Sequence, residues 1–412
     1  MYVNQVLTGN LTDQKPFLYA RFIQLFSLGG RWIPAAIVAQ ILVAAGAFAR
    51  MLCLLGRTRM PTAGLACYLI LLLNPYVAMM LTYVQNDPLF SVAVAALTCE
   101  AAYAARRREA NWPTLLVFGL YTPMALLFRE NGKVFMAMLW AVIAITAPTI
   151  RRRTLLASAA GVAAVASGAI GVDFTLSQRH LIVYPMVIHE VVNVARPVFE
   201  EPLGTRLSPE IRASIGEERL AQAVEWYSPD HWDSIAFVPG GPKLLDLDTA
   251  AKGRIVTAFL RHDLWTNLPA VLGHRVQLFL TAATAGRPIE THGLPRASLE
   301  ALHISGAPRR ARERRRTTVG RLYQFTVRNR ALLWSPLPGA ALVVALCAEG
   351  LVRRDRIAVG IGVLLATQAA LVALFAPAAE FRYLFLLYLA APACWIAWPR
   401  DDRDDPPGGA AP

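Results

Sequence analysis

The chain has 412 residues, of which 55% are hydrophobic and only 17% charged, and its mean hydropathy is +0.41. Soluble domains carry about 25% charged residues, so these proportions exclude an ordinary water-soluble globule and point to a polytopic membrane protein. In that setting the formal net charge of +13 reads as lysine and arginine retained on the cytoplasmic side of a bilayer, not as a nucleic-acid interface.

Apolar runs at 32–56, 62–84, 88–105, 113–128, 133–149, 154–173, 331–350, 357–376 and 383–398 reach or approach the roughly 20 residues that one crossing requires. The runs at 113–128 and 383–398 are short; allowing one or two to tilt, break or lie shallow, about eight spans are expected. The predicted layout is an N-terminal loop (1–30), a transmembrane module (31–173), a large, mostly helical extracytoplasmic loop (174–330), C-terminal transmembrane helices (331–398) and a disordered cytoplasmic tail (399–412). No basic segment followed by an apolar core opens the sequence, so no cleavable signal peptide is expected. The cysteines all fall in apolar runs, which argues against disulfides and a cysteine metal site.

Every second connecting loop is arginine-rich: Arg57 and Arg59, Arg106–Arg108, Arg151–Arg153, Arg353–Arg356, then Arg400 and Arg403. The positive-inside rule places these in the cytoplasm and turns the remaining loops outward. The basic run Arg309–Arg316 lies in the long outward loop, where the rule is weak. Residues Leu264–Ala285 contain Asn267, His274, Arg275 and Gln277, which are costly at bilayer depth; an amphipathic helix on the membrane surface is expected there.

The short outward loops are polar. Gln85-Asn86-Asp87-Pro88 ends the second span, Phe128-Arg129-Glu130-Asn131-Gly132-Lys133 joins the fourth and fifth, and Ala379-Glu380-Phe381-Arg382-Tyr383 opens the last. Arginines on one face with carboxylates suit an anionic phosphate, because the guanidinium fork bonds phosphate oxygens in pairs. A carboxylate in such a place holds a divalent cation (magnesium or manganese) or accepts a hydroxyl proton. Asp87 before Pro88 reads equally as an N-cap without chemistry, and the ionisable loop residues as interfacial anchors.

At these residues the chain resembles the GT-C superfamily of membrane glycosyltransferases. The likeness rests on Leu73-Asn74-Pro75-Tyr76 with Asn86-Asp87-Pro88-Leu89-Phe90, on Arg129-Glu130-Asn131-Gly132, on Tyr184-Pro185 through His189-Glu190-Val191-Val192, and on Glu380-Phe381-Arg382-Tyr383. It implies a bacterial inner-membrane enzyme with a GT-C-like helix bundle, moving a sugar from a polyprenyl-phosphate donor to a glycan or lipid acceptor at the extracytoplasmic face. The implied roles are catalytic or metal contact for Asp87, and phosphate binding for Arg129, Arg382 and Tyr383. Asn86, Glu130, Asn131, Glu380 and His189 are expected in support. The residues Asn4–Asn10 and Lys15–Tyr19 resemble the later part of the family's first outer loop, so the family's first helix and its acidic residue would lie upstream of Met1. Asp13 is the carboxylate left in that loop to replace it.

The long loop contains all the histidines, scattered without a zinc-binding spacing. Its aromatic cluster Trp226-Tyr227 with His231-Trp232 is expected at the membrane interface. Two other functions stay open: a secondary transporter or lipid-linked-sugar flippase, and an inactive GT-C-like scaffold.

Overall fold

The structure is a computed structural model, and it describes residues 17–58, 61–82, 84–129, 131–148, 150–169, 183–196, 206–236, 238, 240–284, 318–376, 379 and 381–399. Every regular element among them is a helix. In the N-terminal half these are α1 (Phe17–Phe26), α2 (Ile33–Leu55), α3 (Pro61–Leu72), α4 (Pro75–Thr82), α5 (Asn86–Arg107), α6 (Trp112–Leu127), α7 (Gly132–Thr146) and α8 (Arg151–Ala169). An intervening lobe holds α9 (Tyr184–Ala195), α10 (Pro209–Ile215), α11 (Glu217–Glu225), the single turn α12 (Asp233–Ala236), α13 (Thr249–Ala258), α14 (Leu264–Thr266) and α15 (Leu268–Ala283). The chain then continues through α16 (Thr318–Arg328), α17 (Arg330–Leu333), α18 (Leu337–Val352), α19 (Arg356–Phe375), a 3-10 turn at Phe381–Leu384, α20 (Phe385–Tyr388) and α21 (Ala391–Ala397).

Among the described residues α2, α5 and α19 are long and apolar enough to cross a bilayer; α6, α7, α18 and the stretch Arg382–Ala397 are shorter apolar helices. The chain is therefore a helical protein with membrane-spanning character. Two expected spans are broken. The run 62–84 divides at Leu73-Asn74, because Pro75 has no N–H to continue a helix and disfavours helical backbone in the residue before it. Asn74 bridges the break: its amide donates to the Leu333 carbonyl at 2.9 Å and to the Tyr388 hydroxyl, while its oxygen accepts from the Tyr76 N–H at 3.0 Å. The last run, 383–398, likewise forms short turns, with Pro392 at the start of α21.

Helix α5 is the axis of the bundle, buried along nearly its whole length and packed by α2, α6, α7, α19 and α21. Alanines 93, 95, 96, 101, 102, 104 and 105 keep it slim enough for neighbours on every side. Its one internal acid, Glu100, is fully buried and pairs with Arg50 of α2, whose second amino group lies 3.1 Å from the other carboxylate oxygen. At the arginine-rich end Arg106 reaches Asp355 at 2.6 Å, and Asp355 caps α19 by accepting from the N–H groups of Ile357 and Ala358.

The lobe has its own core, in which Val187, Ile188 and Val191 of α9 meet Ile211, Leu220 and Phe259. Helix α15 buries two polar side chains, His274 and Arg275, while Leu272, Val276 and Leu280, spaced four apart on one face, are exposed along with Trp265 of α14. The buried face is mixed, with Val271, Leu278, Ala282 and Ala283 beside the two polar side chains, and the exposed face carries an apolar stripe. Although the sequence assigns α16 to the long loop, this helix packs on α4 of the bundle.

Candidate polar site at the start of helix α5

The end of the bundle opposite the arginine-rich loops carries a charged cluster built from three separate elements. Asp87 sits in the first turn of α5, Arg129 follows α6, and Arg382 lies in the 3-10 turn before α20. An Arg129 amino group lies 2.7 Å from one Asp87 oxygen, and the Arg382 Nε lies 3.8 Å from the other. The Asp87 side chain is 6% exposed, against 17% for Arg129 and 14% for Arg382, so solvent reaches the arginines more than the acid. Asp87 is not the cap of its helix: α5 begins at Asn86, Gln85 holds the capping position, and the Asp87 carboxylate is turned to the guanidiniums.

Tyr383 lies beside both cations, with its ring centre 4.7 Å from the Arg129 guanidinium carbon and 5.2 Å from that of Arg382. Each contact of this kind contributes about 0.5–1 kcal/mol. Phe90, one turn along α5, sits 5.8 Å from Arg129 on another side. Two amides hold the loop. Asn86 donates to the Phe128 carbonyl at 2.6 Å, and Asn131 donates to Gln368 of α19 at 3.2 Å. The turn closes through the Gly132 N–H to the Arg129 carbonyl at 3.0 Å. A Cβ on Gly132 would fall 1.8 Å from the Ala125 carbonyl oxygen, so only glycine lets α7 leave α6 here.

Beside the cluster is a narrow cleft bounded by Phe90, Asn131, Gln368, Val372 and Tyr383, with free space of about 10 Å³, enough for roughly one water. A larger ligand has to displace side chains. The described residues do not fit a divalent cation: Asp87 is the single described carboxylate in the cluster and is already paired. No group of three His, Cys, Asp or Glu side chains stands together among the described residues. The expected contributors Asp13, Glu130 and Glu380, and the basic run Arg309–Arg316, lie outside the described residues.

His189 is in a different place. It is fully buried in the lobe, its Nε2 2.8 Å from the Ser228 carbonyl and its Nδ1 without a hydrogen-bond partner among the described residues. Burial first, then the neighbouring His274, hold its pKa well below the ordinary imidazole range. No contact among the described residues joins it to Asp87. Two of the histidines scattered in sequence meet in space: the rings of His189 and His274 lie 4.9 Å apart. His274 Nδ1 faces Glu190 at 2.7 Å, and its Nε2 lies 2.9 Å from the Pro229 carbonyl and 3.1 Å from the Tyr227 hydroxyl. Tyr227, expected at the membrane interface, is turned inward onto this pair; burial and then the Glu190 charge push its hydroxyl pKa upward.

Sequence reasoning missed the partners that organise this region. Arg275 pairs with Glu190 and donates to the Ala376 carbonyl at 2.6 Å, while the Ala379 N–H donates to the Asp230 carbonyl at 2.7 Å. The lobe thus grips the segment leading to Arg382 at two backbone points. The signal available in sequence was the Arg275 charge, beside His274, inside the apolar run 264–285, which had to have a buried partner. Gln368, within the run 357–376, was the corresponding signal for Asn131. Comparison with known protein families, with curated proteins and with solved structures finds no match to this chain.

Proposed function

We propose that this chain is a membrane glycosyltransferase of the GT-C kind, which receives the phosphate of a polyprenyl-phosphate sugar at Arg129 and Arg382 and passes the sugar to an acceptor hydroxyl of the cell envelope. The observation that carries the reading is the convergence of two arginines from separate elements on the single carboxylate of Asp87. Among the described residues two guanidiniums face the Asp87 carboxylate, and paired guanidiniums suit an anion. Phosphate, with its oxygens placed for paired bonds, is the group arginine holds best. Apolar helices around the cluster suit a substrate that arrives on a lipid chain.

In this reading Asp87 holds the place of the phosphate until substrate enters. The entering phosphate takes over Arg129 and Arg382, and the released carboxylate faces the acceptor. The acceptor oxygen bonds to the anomeric carbon, its proton passes to Asp87, and the bond from that carbon to the phosphate oxygen breaks. The departing polyprenyl phosphate keeps the electron pair, and the arginines hold the charge that gathers on it. Tyr383 keeps both guanidiniums aligned, and the Asn86 and Asn131 hydrogen bonds keep the Arg129 turn in register with α5 and α19. The cytoplasmic membrane of a bacterium, with the Asp87 end outward, is the location that the arginine-rich loops favour.

The test is sugar transfer in membranes containing the chain, supplied with a labelled polyprenyl-phosphate sugar. Transfer is expected in the native chain and is expected to disappear in Asp87→Asn and Arg382→Ala at equal protein level. Full transfer in both variants overturns the assignment. A carrier for lipid-linked sugars is the second reading, favoured by the helix break at Asn74-Pro75 and by the buried Arg50–Glu100 pair. Movement of labelled lipid across reconstituted vesicles, without transfer to any acceptor, would favour that reading.

A further inference from the structure

Helices α6 and α8 run parallel, since α7 returns the chain between them, and they touch through glycines. A Cβ on Gly161 would lie 1.7 Å from the Gly119 carbonyl oxygen, so the two backbones meet there directly. The contact is reinforced by the Thr122 hydroxyl donating to Ser158 at 3.0 Å. Around this seam the small side chains leave an open, apolar groove of about 670 Å³, walled by Leu116, Leu120, Leu156, Ala160 and Val165. Leu116, Leu120 and Leu156 are exposed along it. Ligand pockets commonly measure about 300–1,000 Å³, so the volume is that of a binding groove, not of a packing flaw.

One end of the groove differs from the rest. Arg153 lines it, and Arg151 and Arg152 precede Arg153 in the same first turn of α8; all three are exposed, and none makes an ion pair among the described residues. The first turn of a helix carries the positive end of its dipole and ordinarily attracts acids. Three arginines there, with no acid in that turn, concentrate positive charge at the mouth of an apolar channel. Trp112, at the start of α6, is 73% exposed at the same end, in the position that tryptophan takes at a membrane–water boundary. From Trp112 to Leu120 the groove follows about two turns of helix, roughly 12 Å, the length of much of one acyl chain.

We propose that this groove binds one anionic phospholipid, with an acyl chain along α6 and α8 and its phosphate on Arg151–Arg153 at the N-terminus of α8. Charge complementarity selects the headgroup, and the apolar walls hold the chain. This site lies at the opposite end of the bundle from Asp87, and the proposal stands whether or not the chain transfers sugars.

The test uses the full chain in mild detergent, exposed in native mass spectrometry to phosphatidylglycerol or to phosphatidylcholine with the same acyl chains. One phosphatidylglycerol is expected to be retained roughly tenfold better than phosphatidylcholine, the preference that arginines near an anionic headgroup supply. The preference should vanish in the triple variant Arg151→Ala/Arg152→Ala/Arg153→Ala. Because these arginines can also direct insertion, Ala160→Trp provides an independent arm: Ala160 is exposed on the groove wall, so a tryptophan fills the channel without entering the core. Loss of the retained lipid in Ala160→Trp, with an unchanged melting temperature, supports the site. Equal retention of both lipids by the native chain, or undiminished preference in Ala160→Trp, overturns it, as does displacement of the retained lipid by a polyprenyl phosphate at equal concentration.

Discussion

Asp87 and Arg129 stand 2.7 Å apart although the one lies in the first turn of α5 and the other just beyond the end of α6, and Arg382 approaches the same carboxylate from the far end of the chain. If the carboxylate occupies the place of a phosphate, removing its charge has opposite effects on binding and on chemistry. Asp87→Asn should bind a polyprenyl monophosphate about tenfold more tightly than the native chain, an effect near 1.4 kcal/mol, while sugar transfer falls by about 100-fold or more. Arg129→Ala and Arg382→Ala should lose both. Titration of the purified chain with fluorescent polyprenyl phosphate separates these outcomes; weaker binding in Asp87→Asn would instead place Asp87 in direct contact with the ligand.

Gly132 links the Arg129 turn to the packing of α6 on α7. A methyl group there would strike the Ala125 carbonyl, and backbone cannot move aside as a side chain can. Gly132→Ala should therefore destabilise the chain by about 1–3 kcal/mol and shift Arg129 from Asp87. The measurement is the melting temperature in detergent beside the polyprenyl-phosphate affinity. A variant with unchanged values of both would show that the turn has slack the contacts do not suggest.

The membrane character, the helical class and the common outward face of Asp87, Arg129 and Arg382 were legible because each depends on local signals: apolar length, arginine alternation, and polar residues at the ends of apolar runs. The breaks at Asn74-Pro75 and before Pro392 were written in the prolines, yet hydropathy averages over them. What could not be read was pairing across distance. Glu190 and Arg275 are separated by much of the lobe, and only the fold reveals that each neutralises the other. The same limit hid Gln368 from Asn131, and it made the histidines look scattered when two of them touch.

Glu190 is the buried acid on which the lobe's attachment depends: it is fully buried and faces both Arg275 and His274. Glu190→Gln would leave the Arg275 guanidinium, itself 5% exposed, without a compensating charge. Breaking a buried pair from one side typically costs about 3–5 kcal/mol. The expected result is a large fall in melting temperature and faster proteolysis of the 206–284 region. The double variant Glu190→Gln/Arg275→Met should recover part of the loss, since the stranded charge is gone. A double variant as unstable as the single would show that the contact of Arg275 with the Ala376 carbonyl, not the ion pair, holds the lobe.

Acid should loosen the lobe through His189. Its pKa in the folded chain is held well below the usual value by burial and by His274, whereas an unfolded histidine titrates near about 6.5. Above that pH neither state binds a proton at this ring, and its stabilising effect is fully present. As pH falls below about 6.5 the unfolded chain takes up a proton that the folded chain refuses, so folding stability drops by up to about 1.4 kcal/mol per pH unit. Melting temperatures of the native chain should therefore fall from pH 7.5 toward pH 5.5 by more than those of His189→Phe, which keeps a ring against Tyr227 and His274 but has no proton to gain. Parallel pH profiles for the two proteins would remove His189 as the source of acid sensitivity.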